Sequence, residues 1–475
     1  MTTSFRKFIL LLVALLGVVS ACSGNTNNKT GAPPTPTVTP DPARAEKPPN
    51  IILIVTDDQP YYTLEDMPVV WKELVGRGVN FTNGFVTTPA CCPSRASILT
   101  GQYARNHGVL TNKGKMGGVF MFDDNSTLAT WLHDSGYKTG FMGKYLNVYP
   151  ALGRKGYIPP GWDEWQAFSG TDKKNGKGNY RGYKLNNNGE VIQYGYAEED
   201  YSTVVLQNKA VNFIKQSVND PYFLMLSYFG PHGPQNFLEK HKKTFTPDDL
   251  TFLPNFNEED ISDKPNWVQG LDEVAEDKAI KLGVNSLRSL AAVDEAVAEI
   301  LHALEITGQS KNTVIIFLSD NGLAWGEHRW LGQKGCAYEE CAKVPFVVYY
   351  PGITTAPRVD KRFALNIDLA PTIAEIAGAE VPDWVDGQSL MPLLKDSQSP
   401  WREGFILEHF QKAYRIPPYK ALRTQEWKYV EYESGEFELY DMIHDPWELV
   451  NLAYQEEYQD ILLTLSNSMK ELIKK

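Results

Sequence analysis

The residues best suited to chemistry fall in Thr88-Pro-Ala-Cys-Cys-Pro-Ser-Arg-Ala-Ser-Ile-Leu-Thr-Gly101. Pro93 fixes its own φ and disfavours a helical Cys92, whereas residues 96–99 favour helix, so a helix is expected to begin just beyond Cys91. Its N-terminus would present unpaired N–H groups and partial positive charge, and Arg95, one turn inside, would add a planar fork. That combination suits a tetrahedral oxyanion such as phosphate or sulfate. A buried thiol pair at a helix cap is the other reading of Cys91 and Cys92.

The remaining candidates sit where apolar runs stop. Asn50-Ile-Ile-Leu-Ile-Val-Thr56 is continuous and β-branched, as a fully buried strand of a parallel sheet requires, and it ends in Asp57-Asp58. Thr313-Val-Ile-Ile-Phe-Leu-Ser319 repeats the pattern and ends in Asp320-Asn321. Open α/β sheets place ligands at the carboxyl ends of their strands. Adjacent carboxylates repel, so oxygen donors converging from two strands favour a hard cation, with solvated loop acids as the alternative. A third strand, after Asp220, leads to His232 in a loop stiffened by Pro231 and Pro234. A short strand over residues 137–142 precedes Gly143-Lys144, where glycine would let the backbone approach a ligand.

Cys91-x-Pro93-Ser94-Arg95-x-x-x-Leu99-Thr100-Gly101, together with Gly143-Lys144, resembles the signatures of the type I, formylglycine-dependent sulfatases. The resemblance implies that Cys91 is oxidised to formylglycine (3-oxoalanine) by a formylglycine-generating or anaerobic sulfatase-maturing enzyme. It also implies that Asp57, Asp58, Asp320 and Asn321, with the residue at Cys91, hold Ca2+; the oxygen ligands are compatible with Mg2+ too. Arg95, Lys144 and Lys334 would hold the sulfate, and His232 would protonate the leaving oxygen. Gly143-Lys-Tyr-Leu-Asn147 and the Tyr-Ile-Pro-Pro-Gly-Trp-Asp-Glu-Trp run ending at Trp165 resemble a narrower branch, the N-acetylglucosamine-6-sulfatases and heparan endosulfatases. Many sulfatases carry a His two residues after the Lys, where this chain has Leu146, so His107 is the candidate replacement, a loop cap being its other reading. His328 is expected in the substrate pocket or on the surface.

The fold so implied is α/β and alkaline-phosphatase-like: a large, mostly parallel sheet flanked by helices, with a smaller C-terminal antiparallel subdomain. The substrate implied is a sulfate monoester of an amino sugar or related carbohydrate. A phosphate or phosphonate ester hydrolase of the same superfamily, or a non-catalytic glycan-binding lipoprotein, are the competing readings.

Around these residues the organisation is simple. Residues 1–21 read as an export signal, with Arg6 and Lys7 before an apolar run too short to span a membrane comfortably. Val19-Ser-Ala-Cys22 resembles a lipobox, so Cys22 is expected to be lipidated and to anchor the protein facing the periplasm or cell exterior. Residues 22–49 form a Pro- and Thr-rich tether, 50–395 the catalytic domain and 396–475 the C-terminal subdomain. Apolar spacing predicts a long core helix over residues 275–306, and Asp368 is expected to cap another. Antiparallel strands are expected over residues 419–430 and 437–440, with a last helix over 455–474. The formal net charge of −12 carries no nucleic-acid footprint, so an anionic substrate needs locally concentrated positive charge. Cys336 and Cys341 could pair in an oxidising compartment, but their spacing leaves this open.

Overall fold

The Asn50–Asp57 strand is buried along its whole length. Ile51, Leu53 and Val55 enter one hydrophobic core while Ile52 and Ile54 enter another. This period-two division puts alternate side chains on opposite faces, so both faces of the sheet must be covered. The computed structural model describes residues 47–150, 154–172, 176–354, 356–410 and 415–474. The expected leader (1–21), Cys22 and the tether as far as residue 46 lie outside the described residues.

Ten strands form the main sheet, in the order Arg358–Asp360, Val79–Phe81, Phe346–Tyr349, Thr313–Ser319, Asn50–Asp57, Tyr222–Pro231, Lys138–Gly143, Glu164–Thr171, Tyr183–Asn187 and Glu190–Gln193. From Thr313–Ser319 to Glu164–Thr171 every neighbouring pair is parallel. Antiparallel pairs flank this centre on both sides. Helices Ser202–Gln216 and Glu276–Ile306 supply apolar side chains to one core, and Cys91–Thr100, Leu128–Asp134 and Leu369–Ala377 supply the other. The long helix keeps its expected span to within one residue.

A second, antiparallel sheet contains Gly404–His409, Tyr419–Thr424, Trp427–Tyr432 and Phe437–Asp441, and the Gln459–Lys474 helix packs on it. The single strand expected over 419–430 is thus two, separated at Gln425-Glu426. From Lys47 onward the chain forms one compact unit that includes this sheet. No helix among the described residues is long and apolar enough to cross a membrane.

Two local expectations are corrected, and the pairing left open by spacing is resolved. The reactive helix starts at Cys91 itself, capped by extended Ala90, so Cys92 and Pro93 are helical. Proline is tolerated there because the first-turn N–H groups have no intrahelical partner in any case. Asp368 stands at the N-cap position, but its side chain makes no capping bond; its carboxylate accepts the backbone N–H groups of Leu365 and Gln388 and pairs with Arg402. Cys336 and Cys341 are joined in a disulfide.

Candidate active site

Four adjacent parallel strands end at the same edge of the sheet, and each delivers polar groups there. Asn50–Asp57 ends in Asp57 and is followed by Asp58, and Thr313–Ser319 is followed by Asp320 and Asn321. Tyr222–Pro231 carries Ser227 and leads to His232, while Lys138–Gly143 leads to Lys144. The Cys91–Thr100 helix points its N-terminus at the same place, and every one of its residues is buried.

Arg95 ties these segments together. Its Nε donates to Asp320 Oδ2 at 2.7 Å, its Nη1 donates to Ser227 Oγ and to the Lys144 carbonyl, and its Nη2 lies 3.7 Å from Asp57 Oδ2. Lys144 Nζ donates to Asp57 Oδ2. Lys334 Nζ donates to Asp58 Oδ1 and, at 2.7 Å, to Cys91 Sγ. The Cys91 thiol in turn donates to Asp57 Oδ1 at 3.6 Å. Three carboxylates and three basic side chains therefore interleave around one sulfur.

The electrostatics follow from burial and pairing. Burial alone would raise the Asp57 carboxyl, but Lys144, His232, Arg95 and Lys334 together hold it well below the usual carboxylate range. Burial would likewise discharge Lys144 and Lys334, yet their carboxylate partners keep both above the ordinary lysine value. Burial pushes the Cys91 thiol up to about 12, against the pull of both lysines. An unmodified Cys91 is therefore protonated and inert as a nucleophile near neutrality.

His232 is the most open member of the cluster, its side chain 30% exposed. Its Nδ1 donates to the Gly233 carbonyl and its ring packs against Phe229, leaving Nε2 3.7 Å from Asp58 Oδ2. Gly143 has a φ of 117°, and a Cβ there would stand 1.9 Å from the Ser227 carbonyl. The close approach lets the Lys144 N–H donate to that carbonyl at 2.8 Å.

Two expected residues lie elsewhere. His107 Nε2 bonds Ser97 Oγ at 3.1 Å and its Nδ1 accepts the Val109 N–H, so the ring is held against the Cys91–Thr100 helix and makes no described bond to the carboxylates and lysines. Burial lowers it to about 3, which keeps it neutral. His328 lines neither the pocket nor the surface: it is buried, stacked on Tyr338 and bonded to Glu258 at 2.6 Å. Ser227 and Phe229 are the residues that sequence reasoning did not single out.

The oxygen donors fit a hard cation. Asp57 and Asp58 each bring a carboxylate oxygen within 4.8 Å of the other's and of Cys91 Sγ and a His232 ring nitrogen. Asn321 is fully buried, its Nδ2 donates to Asp58 Oδ1, and its Oδ1 has no hydrogen-bond partner. An unpaired carbonyl oxygen beside carboxylates is an acceptor suited to a cation.

The fold is an alkaline-phosphatase-like α/β sheet with a buried cluster of acidic and basic side chains at one edge, and sequence comparison makes the class specific. Residues 49–379 match the sulfatase family and residues 326–475 match the N-sulphoglucosamine sulphohydrolase C-terminal family. The chain belongs to the sulfatase family. It is 32% identical to the extracellular sulfatase SULF-1 homolog of Drosophila melanogaster, over 84% of this chain and 36% of that protein. It is 34% identical to the putative extracellular sulfatase Sulf-1 homolog of Caenorhabditis elegans, of which it spans 54%. With human N-acetylglucosamine-6-sulfatase the identity is 34%, over 76% of this chain and 67% of the relative. Among solved structures, one in complex with its substrate D-glucosamine-2-N,6-O-disulfate has a TM-score of 0.77 at 24% identity, covering 90% of this chain and 98% of that one. The phosphonate monoester hydrolase of Agrobacterium radiobacter has a TM-score of 0.73 at 22% identity, covering 90% and 95%. These two likenesses establish the shared fold.

Proposed function

We propose that the protein hydrolyses a sulfate monoester of an amino sugar or related carbohydrate at position 91. The observation that carries this reading is the buried Cys91 bracketed by Lys334, Asp57 and a helix N-terminus, with Arg95 and Lys144 beside it. A thiol in that state has no use as a nucleophile, whereas the surrounding positive charge suits a sulfate. Oxidation of Cys91 to formylglycine by a maturation enzyme gives the position a function: hydrated, it supplies one hydroxyl to attack sulfur and a second whose deprotonation expels sulfate.

The chain's own residues do the rest. Arg95, Lys144 and Lys334 hold the sulfate oxygens and are themselves held by the carboxylates. His232, the open edge of the cluster, donates a proton to the leaving oxygen, with Lys334 as a second donor. Asp57, Asp58, Asp320 and Asn321 would hold Ca2+, which supplies further positive charge to the sulfate. Export and anchoring through Cys22 belong to the same proposal, in keeping with relatives named as extracellular sulfatases.

Turnover of paired aryl sulfate and aryl phosphate esters tests the reaction class. Sulfate turnover dominates if the reading is right and disappears in Cys91→Ala. Preferential phosphate turnover, or full sulfatase activity in Cys91→Ala, contradicts it.

A further inference from the structure

Lys144 and His232 also line a cavity of about 650 Å3 that extends away from the reactive cluster. A larger one of about 750 Å3, bordered by Lys72, His302 and Tyr349, touches none of the site residues. The composition of the first cavity is unusual for this chain. Although the protein has 58 acidic residues, none of the residues described around that cavity is Asp or Glu. Its charged members are Lys144, committed to Asp57, and the exposed Lys155. Among the described contacts Lys155 has no carboxylate partner. Aromatic Phe168 and Phe229 complete a wall suited to the apolar face of a sugar ring.

We propose that this cavity holds the sugar, and that Lys155 selects substrates bearing a second anionic group on the sulfated ring. The inference rests on the sulfatase reading for the position of the scissile sulfate and adds which sugars are preferred. A single exposed lysine gives a modest, salt-sensitive preference.

Calorimetric binding to the full chain carrying Cys91→Ala, whose methyl side chain cannot give formylglycine, tests this without turnover. The probes are glucosamine-2-N,6-O-disulfate and 6-O-sulfated N-acetylglucosamine. The disulfated sugar is expected to bind about three- to tenfold more tightly at low salt. Lys155→Ala brings the ratio close to one, Lys155→Arg preserves it and high salt compresses it. An unchanged ratio in Lys155→Ala, or no preference in the parent, overturns the proposal. If the ratios behave as expected but unsubstituted protein releases sulfate from neither sugar, the subsite stands and the sulfatase reading fails.

Discussion

At the scale of single residues, Arg95 is the member whose removal should be felt most widely. It bonds one carboxylate directly, stands beside a second, and joins a strand serine and a loop carbonyl, all without access to water. Arg95→Ala leaves Asp320 buried without its ion-pair partner and is expected to cost about 3–5 kcal/mol of stability, read by denaturant unfolding. Arg95→Lys keeps the charge but not the fork, and sulfate turnover should fall about a hundredfold or more. For Asn321, the unpaired Oδ1 predicts a different readout. Saturating Ca2+ at about a hundred times its dissociation constant should stabilise chelator-treated protein by about 2.7 kcal/mol, and Asn321→Ala should shrink that gain. A thermal midpoint indifferent to Ca2+ would count against the cation site.

At the scale of elements, the reactive centre depends on four parallel strands ending together and on one helix aimed at them. The acids were legible in sequence because each follows an unbroken apolar run, and a strand buried on both faces has few other sequence forms. Ser227 was not legible: it lies inside the Tyr222–Pro231 strand, and its role depends on Lys138–Gly143 being the neighbour across which Lys144 returns. His328 was misread because its spacing between Asp320 and Lys334 suggests the pocket. Its backbone, with φ of 47°, instead accompanies a buried side chain bonded to Glu258, seventy residues earlier. The proline rule misled at Cys92 for a related reason, since a first-turn position forgives what an interior one does not. The same geometry predicts that Gly143→Ala, forced against the Ser227 carbonyl at an unfavourable φ, displaces Lys144. Turnover should drop at least tenfold with a lowered midpoint, and unchanged kinetics would show that the strand end tolerates a shift.

At the scale of the whole molecule, a buried ionic network joins the second sheet to the loops beside the main one. Lys428 bonds Glu339 and Glu448, and Arg423 pairs with Glu339. Nearby Glu327 accepts from Tyr62 and from the Trp325 N–H. Burial and the proximity of Glu340 push the Glu327 carboxyl from 4.5 up to about 7. The folded chain thus keeps a proton that the unfolded chain releases, so this group's contribution to stability declines as pH rises from about 4.5 to about 7 and is level above. Unfolding free energy should therefore fall over that window by up to about 3 kcal/mol from this group, and Glu327→Gln should flatten the slope. A pH profile identical in the variant would remove Glu327 from the account. The proposed activity turns on the state of one side chain. The most direct measurement is peptide mass spectrometry across position 91 on protein that hydrolyses a sulfate ester. The account predicts an aldehyde-bearing residue there; an unmodified thiol in the active preparation would contradict it.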